Sequence, residues 1–234
     1  MAQAFRELLA MPSTDLAWED RIGMLVEREF TERENRRVDR RMRDARLPTA
    51  ACLENARCGS SRGLEKAMLR QLGTCQWVRA KQNVIVRGAT GVGKTYLACA
   101  LAESVCKRGM RAVFRRAPRL LEELALARAS GTFGATLARL AKFELLIIDD
   151  FLLVPMNDVE KRDLLEVLED RYEHSSTVLT SQLDPKTWHE CLGDPTMADA
   201  ICDRVVHNAH VIWLRGPSIR KEKGLGSAEQ PAHD

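Results

Sequence analysis

The second half of the chain alternates between short apolar runs and amphipathic stretches, beginning near Trp77. The runs NVIVR (83–87), RAVFR (111–115), ELLIID (144–149), TVLTS (177–181) and HVIWL (210–214) have the length of buried strands. Helical spacing occurs between them, over 94–108, over 118–129 and over 158–173. This alternation predicts an α/β fold, with a five-stranded parallel sheet flanked by helices. A ligand of such a sheet is expected at the carboxyl ends of the strands.

The first part of the chain has a helical period instead, from Leu16 to Leu47, and Pro48 ends it. The apolar residues form two offset stripes, Ile22, Val26 and Phe30, then Val38, Met42 and Ala45. The offset predicts either two helices or one helix with a bend near Glu34. Shorter helical signals follow over 49–76, where Leu64, Met68 and Leu72 are expected to pack beneath a basic surface of Arg62, Lys66 and Arg70.

Six arginines are predicted to lie on the side of this helix opposite Val38, Met42 and Ala45. They are Arg33, Arg36, Arg37, Arg40, Arg41 and Arg43. Interleaved acidic residues are typical of a solvated face, whereas the choice of arginine over lysine favours phosphate binding, because the planar guanidinium pairs with phosphate oxygens. Both interpretations are open on the residues alone. Aromatic residues are scarce here, so base stacking on a single strand is the less favoured mode.

Length and composition fit one α/β domain with a smaller appendage, since the chain has 234 residues, 45% of them hydrophobic and 29% charged. The apolar runs fall far short of the roughly 20 residues that a membrane helix needs. The first residues do not resemble a signal peptide. The seven cysteines form no CxxC pair, which favours reduced thiols. We expect a cytoplasmic protein without a membrane partner.

A phosphate-binding loop follows the first predicted strand. The sequence GATGVGKT fits the pattern G-x-x-x-x-G-K-[ST], and a predicted helix follows it. Glycines let the backbone turn so that its N–H groups point at phosphate oxygens, with the positive end of the helix behind them. The loop and the residue after it are expected to bind a nucleoside triphosphate through Gly88, Ala89, Thr90, Gly91, Val92, Gly93, Lys94, Thr95 and Tyr96. Lys94 is expected to reach the β- and γ-phosphates, and Thr95 to supply a hydroxyl to Mg²⁺.

An acidic pair ends the third predicted strand, in LLIIDD. Asp149 is expected to hold the Mg²⁺ ion, because a P-loop needs an acid at the tip of a neighbouring strand. Asp150 follows it and is expected to polarise the attacking water as general base. The pair favours ATP hydrolysis over transfer to a small acceptor.

Polar residues after the fourth predicted strand, Thr180, Ser181 and Gln182, are expected near the γ-phosphate. Gln182 or Thr180 would orient the water there, although a simple turn is the open alternative. Arg204 ends the predicted helix DAICDR and is a candidate arginine finger for a neighbouring subunit's nucleotide.

Together these residues resemble the IstB-like ATPases of insertion sequences, members of the AAA+ group and relatives of DnaC-type helicase loaders. The resemblance covers nearly the whole chain and rests on REFTERENRRVDRRMRDARL, GATGVGKTYLACAL, LLIIDD, LLEVLEDRYEHSSTVLTSQL, GDPTMADAICDRVVHNAH and GPSIRK. It implies an AAA+ P-loop NTPase that oligomerises on duplex DNA with ATP and Mg²⁺ and recruits or stimulates a transposase. It favours DNA binding by the six arginines, and trans action of Arg204.

The resemblance, together with the change of pattern at Trp77, divides the chain into a helical DNA-binding region (1–76), an ATPase region (77–216) and a basic, then disordered tail (217–234). It leaves open whether Arg220 acts as a second sensor. Family members usually have glycine where this chain has Leu152, and we expect this difference to slow hydrolysis without weakening ATP binding. Two alternative functions remain, a helicase loader and an ATP-binding DNA switch with little turnover.

Overall fold

The computed structural model describes residues 18–219, with a five-stranded parallel sheet at the centre. The strands are β1 (Asn83–Arg87), β2 (Ala112–Arg116), β3 (Leu145–Phe151), β4 (Ser176–Ser181) and β5 (Ala209–Trp213). They lie in the order β2-β3-β4-β1-β5, and every neighbouring pair is parallel. The fold class predicted from the sequence is confirmed.

Helices surround this sheet. They are α1 (Trp18–Ala45), α2 (Lys66–Gly73), α3 (Gln76–Arg79), α4 (Lys94–Lys107), α5 (Ala117–Ala129), α6 (Phe133–Ala141), α7 (Asp158–Glu169), α8 (Trp188–Leu192) and α9 (Pro195–Val206). The sequence pattern did not indicate α6 or α8, because both are short and depend on packing rather than on their own periodicity. The sequence pattern also predicted that α7 ends at residue 173, whereas the helix ends at Glu169. The chain leaves the helix before Glu173, which has a left-handed φ of 58°.

Alternating strand residues build two cores, one on each face of the sheet. Val84 and Val86 of β1 face α4, whereas Ile85 faces α5, α6, α7 and α9. The core on the α4 side also contains residues from the N-terminal region, among them Ala51, Leu53, Leu64 and Leu72. The described part of this region thus packs onto the sheet domain through shared apolar contacts. The division of the chain at residue 76 stays a prediction.

Helix α1 is continuous over its 28 residues, which excludes the two-helix arrangement. Its last turns pack as predicted, with Ala45 fully buried and Val38 and Met42 half-buried. The earlier stripe does not, since Ile22, Val26 and Phe30 are 43%, 59% and 65% exposed. The sheet domain contacts α1 through β2 and α4 near the carboxyl-terminal end of α1. The residues of the earlier stripe therefore lie away from these contacts.

The end of the chain lies mostly beyond the described residues. Arg220 and the predicted disordered tail both fall there. Within residues 18–219, no helix combines the length and apolar character needed to cross a membrane.

Candidate nucleotide site

The P-loop joins β1 to α4 at the carboxyl edge of the sheet. Gly88, Gly91 and Gly93 have positive φ angles of 151°, 85° and 103°, which side chains rarely adopt. At two of these positions a side chain would also clash with neighbouring atoms. A Cβ on Gly88 would lie 2.3 Å from Leu214 O, and one on Gly91 would lie 2.1 Å from Ser218 Oγ. The loop therefore fits between the start of α4 and residues 214–219, here called the strap.

Lys94 is the first residue of α4 and is 7% exposed. Its ammonium donates hydrogen bonds to the carbonyl oxygens of Gly88 (2.8 Å) and Ala89 (3.0 Å). The lysine is thus folded back over the loop that it is expected to serve, where the amino end of α4 adds a positive field. Val92 anchors the loop in the core, while Ala89 and Thr90 are exposed.

Thr95 and Asp149 come together from different elements. The Thr95 hydroxyl lies 3.0 Å from each carboxylate oxygen of Asp149, which is 3% exposed at the end of β3. Burial raises the pKa of the Asp149 carboxyl, and hydrogen bonds from Thr180 and Thr95 oppose that rise. A hydroxyl beside a carboxylate is an oxygen donor set of the kind that Mg²⁺ prefers, so the residues present fit this ion.

The contacts of Thr180 differ from those expected of a residue that orients water. Its hydroxyl donates to Asp149 Oδ1 at 2.5 Å and accepts from the backbone N–H of Asp150 at 3.1 Å. Thr180 is fully buried, so its contacts fix the acidic pair rather than face solvent. Ser181 is also buried and donates to Phe151 O, whereas Gln182 is exposed at the strand end. Gln182 therefore stays the candidate for orienting water.

Asp150 is paired with Arg116, a residue that the sequence analysis did not single out. Arg116 ends β2 and donates two hydrogen bonds to Asp150 Oδ2, at 2.6 Å and 3.1 Å. The strand register explains the meeting, because Arg116 lies opposite Asp149 in the β2–β3 pair. This ion pair fixes the carboxylate expected to act as general base and raises the pKa of Arg116.

A tight turn follows the acidic pair. The N–H of Leu153 donates to Asp150 O at 3.2 Å, and Leu152 has a φ of 56°. A positive φ at the third residue is the type II pattern, in which glycine is preferred. The left-handed backbone at this position agrees with the glycine expected there from the sequence resemblance. The side chain of Leu152 is 9% exposed and packs in the core with Phe151 and Met156.

Replacing Leu152 with glycine is expected to lower the free energy of unfolding by about 2 kcal/mol, the difference between the central values of two opposing effects. Loss of the buried side chain costs about 2–5 kcal/mol, while relief of the left-handed backbone returns about 1–2 kcal/mol. Urea unfolding followed by tryptophan fluorescence measures the difference. Leu153→Gly is the matched control, since Leu153 is 47% exposed. A Leu152→Gly protein more stable than the wild type would contradict the packing role. The expected slowing of hydrolysis by Leu152 stays a prediction.

Tyr96 points away from the phosphate side of the loop. Its hydroxyl contacts the backbone of Cys52, 3.3 Å from the carbonyl oxygen and 3.4 Å from the nitrogen.

Arg62 also lies elsewhere than the sequence pattern predicted. It is not part of a basic surface with Lys66 and Arg70, because its Nη2 donates to Val92 O in the P-loop at 2.8 Å.

Arg204 lies at the opposite end of the sheet. Asn83, the first residue of β1, donates through Nδ2 to Arg204 O at 3.1 Å, whereas the P-loop follows the last residue of β1. Four steps of about 3.3 Å separate these ends by roughly 13 Å. The guanidinium pairs with Glu169 and donates to Ala200 O. Arg204 is therefore placed too far to serve its own P-loop.

The arginines of α1 form a narrower surface than predicted. Arg33, Arg36, Arg40 and Arg43 are exposed and share one face at spacings of three and four. Arg33 and Arg36 pair with Glu29 and Glu32 one turn earlier, and Arg37 pairs with Glu34. Arg41 does not lie on the exposed face. It is half-buried beside Gly109, because its position on α1 turns it toward the sheet domain.

Comparison with known proteins gives the family. A family model described as IstB-like ATP binding protein matches residues 1–227. The insertion sequence protein y4pL of Sinorhizobium fredii, named for ATP binding, is 43% identical over 224 residues, or 95% of this chain and 91% of y4pL. The similarly named IS1162 protein of Pseudomonas fluorescens is 41% identical over 189 residues, or 80% and 82% of the two chains.

Among solved structures, AMPPCP-bound DnaA from Aquifex aeolicus has the same fold. Its TM-score is 0.59 at 18% identity, covering 77% of this chain and 56% of that DnaA chain. The match supports the AAA+ P-loop fold that the sheet order and P-loop display. Together with the family model, it agrees with the resemblance carried by the sequence motifs. The chain belongs to the IstB-like ATP-binding proteins.

Proposed function

We propose that this protein is an ATPase that assembles on duplex DNA and recruits or stimulates the transposase of its insertion sequence. The observation that carries the proposal is the grouping of Lys94, Thr95, Asp149 and Asp150 around one P-loop at the carboxyl edge of the sheet. Membership in the IstB-like family supports ATP binding. Hydrolysis, DNA binding, oligomerisation and the transposase partner are parts of the proposal. So is a cytoplasmic location.

Each residue of the site has a separate role in the proposed hydrolysis. Lys94 and the P-loop amides bind the β- and γ-phosphates, while Thr95 and Asp149 hold the Mg²⁺ ion. This ion, when bound, neutralises charge that develops on the phosphate oxygens. Asp150 accepts a proton from the attacking water, and Gln182 orients that water. Thr180 keeps both aspartates in place through its two hydrogen bonds.

An arginine from a second subunit supplies further positive charge beside the γ-phosphate. Arg204 lies at the far end of β1 from its own P-loop, so it serves the nucleotide of a neighbour. Such an arginine stabilises the transition-state charge only when subunits are assembled. Assembly on DNA would then switch hydrolysis on.

The DNA surface is the exposed arginine face of α1, formed by Arg33, Arg36, Arg40 and Arg43 with Arg37 beside them. These residues follow one face of the helix for about 15 Å, at 1.5 Å per residue. Two of their acidic partners, Glu32 and Glu34, lie within one turn and have side chains that are 37% and 40% exposed, so phosphate oxygens can compete with these carboxylates for the guanidinium groups. Arg41 is left out of the surface because it packs against the sheet domain.

Replacing Arg36, Arg40 and Arg43 together with alanine is expected to weaken duplex binding and flatten its salt dependence. Each phosphate contact contributes about 0.9 to the slope of log K against log salt, so three lost contacts lower the slope by about 2–3. Fluorescence anisotropy with labelled duplex over a salt series measures this. The matched control replaces Arg119, Arg139 and Arg162, exposed arginines of α5, α6 and α7, with alanine. An equal loss of slope in both triple variants would contradict the assignment of the surface.

A second candidate is an ATP-binding DNA switch with little turnover. The ion pair of Asp150 with Arg116 favours it, because the guanidinium occupies Oδ2 of the carboxylate that would have to receive the proton. Phosphate release under steady-state conditions separates the two, since a switch assembles on DNA with ATP but releases phosphate negligibly. The helicase loader alternative is separated by strand preference, since a loader would bind single strands more tightly than duplex.

A further inference from the structure

The segment that follows α1 contacts the P-loop once and the first turn of α4 once. Arg62 donates through Nη2 to Val92 O at 2.8 Å, and Tyr96 bonds through its hydroxyl to the backbone of Cys52. The contacts span 30 and 44 residues of sequence, so the fold rather than the local chain creates them. Neither contact uses a group that reaches toward the phosphates.

The Arg62 contact orients part of the phosphate-binding backbone. A peptide unit is planar, with its C=O and N–H pointing in opposite directions. Holding the carbonyl of Val92 from outside therefore turns the N–H of Gly93 toward the inside of the loop. The strap does the same one residue earlier, because the N–H of Ile219 donates to Gly91 O at 2.9 Å and so orients the N–H of Val92.

Arg62 is itself held firmly. Its carbonyl oxygen accepts from the N–H of Arg215 at 2.9 Å, which ties it to the strap. A Cβ on Gly63 would lie 2.0 Å from Trp213 O, and one on Gly216 would lie 3.2 Å from Arg62 Nη1. Glycine at both positions lets the three segments pack this closely. Arg62 thus transmits a displacement of its own segment to the P-loop.

The path back to the arginine face of α1 is short and packed. Arg43 stands nine residues before Cys52 in the sequence. Between them Ala45 is fully buried and Ala51 is 8% exposed, in the same core as Leu97 of α4. A shift of α1 would therefore move the segment that carries Cys52 and Arg62.

We propose that Arg62 and Tyr96 couple DNA binding on α1 to nucleotide binding at the P-loop, so that each ligand raises the affinity for the other. The proposal rests on the proposed DNA-binding and ATP-binding function. Arg62 acts as a positioning residue through the Val92 peptide, and Tyr96 fixes the first turn of α4 to the same segment. The coupling is reciprocal, because the two binding free energies are linked.

The test measures duplex affinity with and without AMPPCP, using the full chain and a labelled duplex of about one helical turn, roughly 10 base pairs. Sedimentation confirms one subunit per duplex, so that assembly does not contribute. In the wild type, AMPPCP is expected to tighten DNA binding within the usual range of about 5- to 150-fold. Arg62→Ala and Tyr96→Phe are each expected to reduce this factor to within about 2-fold of unity. Arg70→Ala, an exposed arginine on α2, is the control and keeps the wild-type factor.

With AMPPCP saturating for each variant, the ratio of the two duplex affinities separates coupling from a merely structural role, because a change in the affinity for DNA alone or for AMPPCP alone cancels from it. Tyr96→Phe removes a single oxygen and keeps the test valid if Arg62→Ala fails to fold. A wild-type factor retained in Tyr96→Phe and in folded Arg62→Ala would overturn the proposal. A wild type that binds both ligands independently would also overturn it. A wild type that binds no duplex would instead refute the proposed DNA-binding function.

Discussion

Arg204→Ala is expected to lower ATP turnover by about 10³- to 10⁵-fold, the effect of removing an arginine finger. The cause is the loss of positive charge beside the γ-phosphate of a neighbouring subunit, since Arg204 lies at the far end of β1 from its own P-loop. Phosphate release at saturating ATP and duplex DNA measures the loss. ATP binding by isolated subunits should be unchanged, because the residue does not reach their own site.

Mixing subunits distinguishes this role from a structural one. Arg204→Ala and Lys94→Ala proteins are each expected to be inactive, and their mixture should recover part of the turnover. Recovery arises where an intact P-loop meets an intact Arg204 from the other variant. Arg162→Ala, an exposed arginine on α7, is the matched control and should stay active. Arg204 also pairs with Glu169, so thermal melting must show that the variant is folded. Absence of recovery with assembly intact would contradict trans action.

Asp150→Asn is expected to lower turnover by about 10²- to 10⁴-fold while ATP still binds and drives assembly. The amide cannot accept the proton of the attacking water, and general base catalysis supplies an effect of this size. The amide keeps the shape of the carboxylate, so Arg116 retains a hydrogen-bond acceptor, although the ion pair is lost. Single-turnover phosphate release measures the chemical step apart from binding.

The control for this substitution is Asp199→Asn, the same change at an exposed acid on α9. It should leave turnover within about 2-fold of wild type, because surface substitutions away from the site have small effects. If ATP binding fell together with turnover in Asp150→Asn, the residue would belong to nucleotide or metal binding rather than to proton transfer.

The sheet and the P-loop were predictable because their signals are local. Apolar runs of strand length and the loop glycines are read within a few residues, and the observed strands end within two residues of their predicted bounds. The grouping of Thr95 with Asp149 followed from the rule that parallel strands present their carboxyl ends at one edge. The positive φ at Leu152 gives a physical reason for the glycine expected there from the sequence resemblance.

The contacts that sequence reasoning missed join residues far apart in the chain. Arg116 meets Asp150 across 34 residues through the strand register, and Arg62 meets Val92 across 30. Helical periodicity placed Arg62 on a basic surface and Arg41 on the exposed side of α1. Both arginines instead follow the packing of the N-terminal region against the sheet domain, which no local pattern reveals.

Phosphate release by the wild-type protein, with and without duplex DNA, tests the central claim most directly. The account predicts steady turnover that rises when duplex is added and falls as salt weakens DNA binding. It also predicts that Asp150→Asn abolishes this turnover while assembly on DNA with ATP persists. Equal and negligible turnover in the wild type and in Asp150→Asn, with assembly intact in both, would contradict it.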